Sequence, residues 1–150
     1  MDTVKAMPHT NGIGGGGYLS SSQYEIFDAY ANFTLRSVLV YAQTAGSIVI
    51  ALQDSTGADL QTATVTVPAG ASRVQLNFNV PISSKLRLTA KTITGTSLYR
   101  NNNSAMYPYA IDNLLSIIGA SAGASYYYYF YDWEVLNSNG SCTSPQTPVN

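Results

Sequence analysis

The sequence predicts an all-β fold, a single antiparallel β-sandwich of jelly-roll type. Short runs of β-branched and aromatic residues alternate apolar with polar along the chain. Turn chemistry built from Gly, Pro, Asn and Asp separates them at intervals of about 8 to 12 residues. No window carries a convincing 3.6-residue apolar stripe. That combination belongs to sandwiches and jelly rolls.

Residues 1–16 read as a flexible N-terminal arm that ends in the glycine run Gly14 to Gly17. The module itself is expected over 17–136. Its first strand runs from Gln23 to Ala29, and Phe33 to Ala42 is the second, with Val38, Val40 and Ala42 alternating against Ser37, Leu39 and Tyr41. Ile48, Ile50 and Leu52 mark a third strand, closed by the turn Asp54-Ser55-Thr56-Gly57. Thr62, Thr64 and Thr66 interleave with Ala63, Val65 and Val67, giving a half-buried strand with a hydroxyl-bearing outer face. After Pro68-Ala69-Gly70 the pattern resumes with Val74, Leu76, Phe78 and Val80, stops at Pro81, and returns at Leu86 and Leu88. Gly95 to Met106 reads as a long polar loop. The segment Tyr109 to Gly119 has a helical rival over Ala110 to Ile118, but its serine and β-branched residues favour strand. Tyr126 to Leu136 is the longest strand signal, and residues 137–150 read as a linker to a following domain.

Among 150 residues only 7 are basic and 8 acidic, and the net charge is −1. Charged residues make up 10% of the chain against about 25% in an average soluble domain, so serine, threonine and asparagine must hydrate the surface. A chain this close to neutrality has no long-range field to gather phosphate backbones or anionic lipids, which argues against nucleic-acid and membrane-surface partners. No run of 18 apolar residues is present to insert into a membrane. The lone Cys142 cannot close an internal disulfide and lies in a Ser/Thr/Pro-rich tail. With no basic and apolar leader behind Met1, the chain reads as an excised module whose export signal lies elsewhere.

Catalytic chemistry finds few residues to use, and the expectation is that the protein is not an enzyme. The single histidine, His9, sits in the expected arm, so a Ser-His-Asp or Cys-His site has no rigid support. One His and one Cys cannot supply a zinc ligand set. Asp132 and Glu134 lie at i and i+2 of the last strand and share a face, side by side rather than flanking a glycosidic bond. A structural calcium ion is the better use of acids here: Asp28 and Asp132 are the candidate ligands, and Asp112 is a further one. The alternative for all three is an ordinary solvated or hydrogen-bonded acid. Gly12 to Gly17 imitates a phosphate-binding glycine fingerprint, but follows no strand and opens no helix.

Tyrosine is the informative residue, with 12 present beside 4 Phe and 1 Trp. By strand parity Tyr127, Tyr129, Tyr131, Trp133 and Val135 face the core, while Tyr126, Tyr128, Phe130, Asp132 and Glu134 face outward. An exposed aromatic patch with a polar rim marks an interaction site. Leu98 to Tyr109 adds Tyr99, Arg100, Asn101, Asn102, Tyr107 and Tyr109 in one loop. Rings that stack on sugar C–H groups, with amides and a guanidinium for the hydroxyls, suit a neutral polysaccharide or oligosaccharide. The competing use of these tyrosines is as core filler with a hydrogen-bonded tip.

The segments Phe27-Asp28-Ala29, Val38-x-Val40-Tyr41-Ala42, Leu98-Tyr99-Arg100-Asn101, Tyr107-Pro108-Tyr109 and Phe130-Tyr131-Asp132-Trp133-Glu134-Val135 together resemble a β-sandwich module of large secreted bacterial proteins. The resemblance spans about residues 15 to 136, and Cys142 to Val149 resembles the passage into a following repeat. It implies an ancillary domain akin to jelly-roll carbohydrate-binding modules, secreted or on the cell surface, with neighbouring domains of the same chain as partners. It implies no catalytic residues. The function expected is non-catalytic tethering to a polysaccharide through Tyr99, Arg100, Asn101, Asn102, Tyr107, Tyr109, Tyr126 and Tyr128. The alternative is a structural or adhesive spacer with no glycan ligand.

Overall fold

The computed structural model describes residues 3–6, 8–111 and 113–137. Two antiparallel sheets pack face to face. One has the order β1 (Thr3–Ala6), β13 (Tyr131–Asn137), β4 (Phe33–Ala42), β9 (Leu98–Asn101) and β12 (Tyr127–Tyr128), with β2 (Gly16–Leu19) also on β9 and β7 (Gly70–Val80) also on β4. The other has the order β10 (Tyr109–Ile111), β11 (Leu115–Ala120), β3 (Gln23–Ala29), β8 (Ser83–Thr94), β5 (Gly46–Gln53) and β6 (Asp59–Val67). The fold class expected from the sequence, an all-β antiparallel sandwich, is the fold observed.

Period-two patterning explains the core. Val38 and Val40 of β4, Val74 to Val80 of β7, Ile48 to Leu52 of β5 and Leu86 and Leu88 of β8 turn their apolar sets inward, while Gln75, Asn77 and Asn79 stay in water. Trp133 and Phe27 join the two sheets, edge to face, with ring centroids 5.0 Å apart at 89°. Both are fully buried. The Trp133 indole nitrogen donates to the Phe130 carbonyl at 2.8 Å, so the one polar atom of the ring is satisfied. The turn after β5 is held by Asp54, whose carboxylate accepts from the Thr56 and Ala58 amides at 2.9 and 3.1 Å. Gly57 takes φ +88° there, a conformation costly for other residues.

Three expectations change. The arm is not free: Thr3 to Ala6 pair with Leu136 to Trp133, the Asp132 amide donates to the Pro8 carbonyl, and His9 bonds Asp132. The polar loop from Gly95 is interrupted by β9, which pairs with β2 on one side and β12 on the other. The last strand is broken in two. Tyr129 at φ +65° and Asp132 at φ +47° are left-handed, and the alternation of faces is lost across them. Tyr127 through Trp133 are consequently all buried, including Tyr128, Phe130 and Asp132, which parity places outside. The segment 109–120 is strand, as expected, divided by a turn into β10 and β11.

Truncating the inter-sheet pair should be among the most costly changes. Trp133→Ala or Phe27→Ala is expected to lower unfolding free energy by about 3–5 kcal/mol, read as a lower urea midpoint at unchanged m-value.

Candidate ligand-binding site

β9 organises the tyrosine-rich end. Tyr99 lies opposite Tyr18 of β2, while Arg100 lies between Gly17 of β2 and Tyr128 of β12. Residues directly opposite share a face, so Tyr18 and Tyr99 flank one side of β9 and Arg100 and Tyr128 the other. The glycines of β2 allow the approach: a Cβ on Gly16 would collide with the Arg100 carbonyl oxygen. Asn101 then locks the glycine segment. Its amide nitrogen lies 2.9, 3.0 and 3.3 Å from the carbonyls of Asn11, Gly14 and Gly15, and its oxygen accepts from the Tyr131 hydroxyl at 2.7 Å. Asn101 is fully buried, so it is a structural residue and not the ligand contact expected.

Beneath this end lies Glu25 of β3, fully buried between the sheets. One of its oxygens accepts from the Tyr128 amide at 2.8 Å, and the other lies 2.7 Å from the Tyr107 hydroxyl. That hydroxyl is also 2.6 Å from the Tyr126 carbonyl. A phenol has one proton and cannot donate to both. All contacts are satisfied if Tyr107 donates to the Tyr126 carbonyl and Glu25, as a neutral acid, donates to Tyr107. Burial agrees, pushing the Glu25 carboxyl well above the usual carboxylate range, although the Tyr128 amide and Tyr107 hydroxyl pull it back. Burial and the neighbouring Glu25 also drive the Tyr107 hydroxyl far up.

Around that node the rings of Tyr107, Tyr109, Tyr127 and Tyr131 form one cluster, with centroid separations of 5.3 Å for Tyr107–Tyr109 and 5.0 Å for Tyr127–Tyr131. Tyr109 is half-buried and its hydroxyl accepts from the Met106 amide at 2.7 Å. Tyr107 is half-buried with its hydroxyl committed. Tyr126 lies parallel over Tyr128, centroids 5.9 Å apart at 3°. Tyr128 is therefore buried beneath a neighbour and is not the open platform expected. The predicted site residues thus divide. Tyr99, Arg100 and Tyr126 are half-buried, Asn102 is exposed, and the rest are inside or tied down.

Sequence reasoning missed Tyr18, which is 45% exposed and meets Tyr99 edge-on with centroids 5.3 Å apart. Its place after four glycines hid the strand that positions it. The hydroxyls of Tyr18, Tyr99 and Tyr126 make no hydrogen bond among the described residues. The buried Nε of the Arg100 guanidinium has no partner among the described residues.

The calcium expectation fails on geometry. Asp28 lies in the β10–β6 sheet and accepts from the Lys85 amide at 2.8 Å. Asp132 lies in the other sheet, one oxygen bound by His9 and the other by Arg73, both at 2.5 Å. The two acids share no site, and both oxygens of Asp132 are already taken by His9 and Arg73. Asp112 and Cys142 lie outside the described residues. Among the described residues no group of three His, Cys, Asp or Glu side chains is arranged to hold a metal. Glu134 accepts from the Ser37 hydroxyl at 2.8 Å, which in turn accepts from Arg73 at 2.9 Å, so the side-by-side acids belong to one tethering network.

Two clefts lie elsewhere, along the seam between β6 and β7. One of about 380 Å³ is lined by Phe33, Leu60, Val80 and Pro81, and one of about 390 Å³ by Thr64, Thr66, Ser72 and Arg73. Neither contains a residue expected to bind ligand. Comparison of the chain with protein-family models, characterised proteins and solved structures returns no match.

Glu25→Gln keeps one donor and one acceptor and is expected to change stability by less than about 1 kcal/mol, whereas Glu25→Ala orphans Tyr107 and the Tyr128 amide and should cost about 2–4 kcal/mol. The raised folded-state pKa fixes the sign of the pH dependence. From the ordinary value of 4.5 upward the unfolded chain loses this proton while the folded one keeps it. Glu25 therefore makes stability fall with rising pH until the folded carboxyl ionises. Denaturation midpoints taken from pH 4 to 9 should lose that component in Glu25→Gln.

Proposed function

We propose that the module binds a glycan without acting on it and tethers a secreted or cell-surface protein to polysaccharide, by analogy with jelly-roll carbohydrate-binding modules. The observation that carries this reading is the accessible pair Tyr18 and Tyr99 on one face of β9, with Tyr126 stacked over Tyr128 on the other, three rings whose hydroxyls have no partner among the described residues. Unlike Tyr107 or Tyr127, they keep both a face and a polar tip for a ligand. Asn102, exposed, and Arg100, which follow Tyr99 in the chain, supply donors for sugar hydroxyls. The near-neutral chain suits a neutral, hydroxyl-rich polymer, and tethering would raise the effective concentration of whatever domains neighbour this one.

A second reading, a structural or adhesive spacer without a glycan ligand, is favoured by the internal use of Tyr107, Tyr127, Tyr128 and Tyr131. Affinity electrophoresis through gels containing neutral polysaccharides separates the two. Retardation by at least one polymer is expected, weakened roughly tenfold in Tyr18→Ala and Tyr126→Ala. Folded wild-type protein that runs unretarded on every glycan offered supports the spacer instead.

A further inference from the structure

We propose that β6 is a self-pairing edge, on which a second copy of this chain adds its own β6 antiparallel to make one continuous sheet. An open edge exposes a row of unpaired backbone donors and acceptors, and proteins that must stay apart guard such rows with charge, proline, bulges or brevity. The other terminal strands obey this. β10 and β12 have 3 and 2 residues, and β1 and β2 have 4 each. β7 is long but carries Arg73 and a left-handed Asn77 at φ +54°. β6 has 9 residues; its register irregularity against β5 falls at Leu60, beside Asp59, and from Gln61 to Val67 it contains no charge, no proline and no left-handed residue.

The identity of the partner follows from the pattern of that edge. Thr62-Ala63-Thr64-Val65-Thr66, the middle of that edge, is self-complementary about Thr64. A two-fold axis there sets Thr62 against Thr66, Thr64 against Thr64 and Ala63 against Val65, hydroxyl facing hydroxyl and aliphatic facing aliphatic. No like charges oppose each other anywhere in this register. The strand is also preorganised, because the Gln61 side chain donates to the Asn79 carbonyl at 2.6 Å and accepts from the Asn79 amide at 3.1 Å, fixing β6 against β7.

Sedimentation velocity over micromolar to millimolar concentrations tests this, together with Thr64→Lys and Thr64→Glu. Thr64 is exposed, and unchanged circular dichroism and thermal midpoint establish that both variants fold. The wild type should dimerise with concentration. Each variant alone should weaken dimerisation at least about threefold, because like charges meet at the axis. An equimolar mixture of the two should recover it. Wild-type protein that stays monomeric throughout overturns the proposal, as do variants that dimerise as well as wild type or a mixture that fails to recover.

Discussion

A neutral carboxylic acid buried between the sheets underlies the whole tyrosine-rich end. Glu25 belongs to β3 in one sheet, and it holds the amide of Tyr128 in the other. Through the Tyr107 hydroxyl it also fixes the carbonyl of Tyr126 and the segment that links β9 to β10. An ionised carboxylate there would face a severe desolvation penalty and compete for the single Tyr107 proton. The protonated acid avoids both costs, and its donor and acceptor match the neighbours on offer. The position of the accessible Tyr126 ring is thus set by a residue that never meets solvent.

The few other charges follow the same economy. Asp132 is left-handed and nearly buried, a combination that is affordable only because His9 and Arg73 close on its two oxygens. Arg73 also reaches the Asp132 carbonyl and the Ser37 hydroxyl. The network ties the N-terminal segment, β4, β7 and β13 together around one carboxylate. Low overall charge and heavy local use of charge are therefore compatible, since the remaining surface is hydrated by threonine, serine and asparagine.

Period-two patterning made the strands legible wherever each strand is unbroken, as in β5, β6 and β7. It failed in the final aromatic run because two left-handed residues, neither of them glycine, interrupt the alternation, and local sequence carries no signal for a tyrosine forced to φ +65° by its surroundings. β2 and β9 were missed for a different reason. Each is 4 residues long and either rich in glycine or polar, so its strand character comes from its partners and not from its own propensity. The candidate site inherited these errors: Tyr128 was drawn outward by an alternation that the chain does not keep, Asn101 was placed in a loop that is strand β9, and Tyr18 was hidden behind glycines.

The same strand breaks explain why so many of the aromatic residues are tyrosine. Where the ladder is interrupted, carbonyls lose their strand partners, and buried carbonyls must find another donor. Tyr127 donates to the Phe130 carbonyl, Tyr129 to that of Ser21 and Tyr107 to that of Tyr126, each at 2.6–2.7 Å. Phenylalanine would fill the same volume without supplying those donors. A tyrosine with such an assignment therefore needs no ligand to account for it. Tyr18, Tyr99 and Tyr126 have none among the described residues, and all three gather around one short strand whose central cation also keeps a buried nitrogen unpaired there. The distinction between employed and unemployed hydroxyls, more than the number of tyrosines, separates the rings that the fold accounts for from those around β9 that it does not.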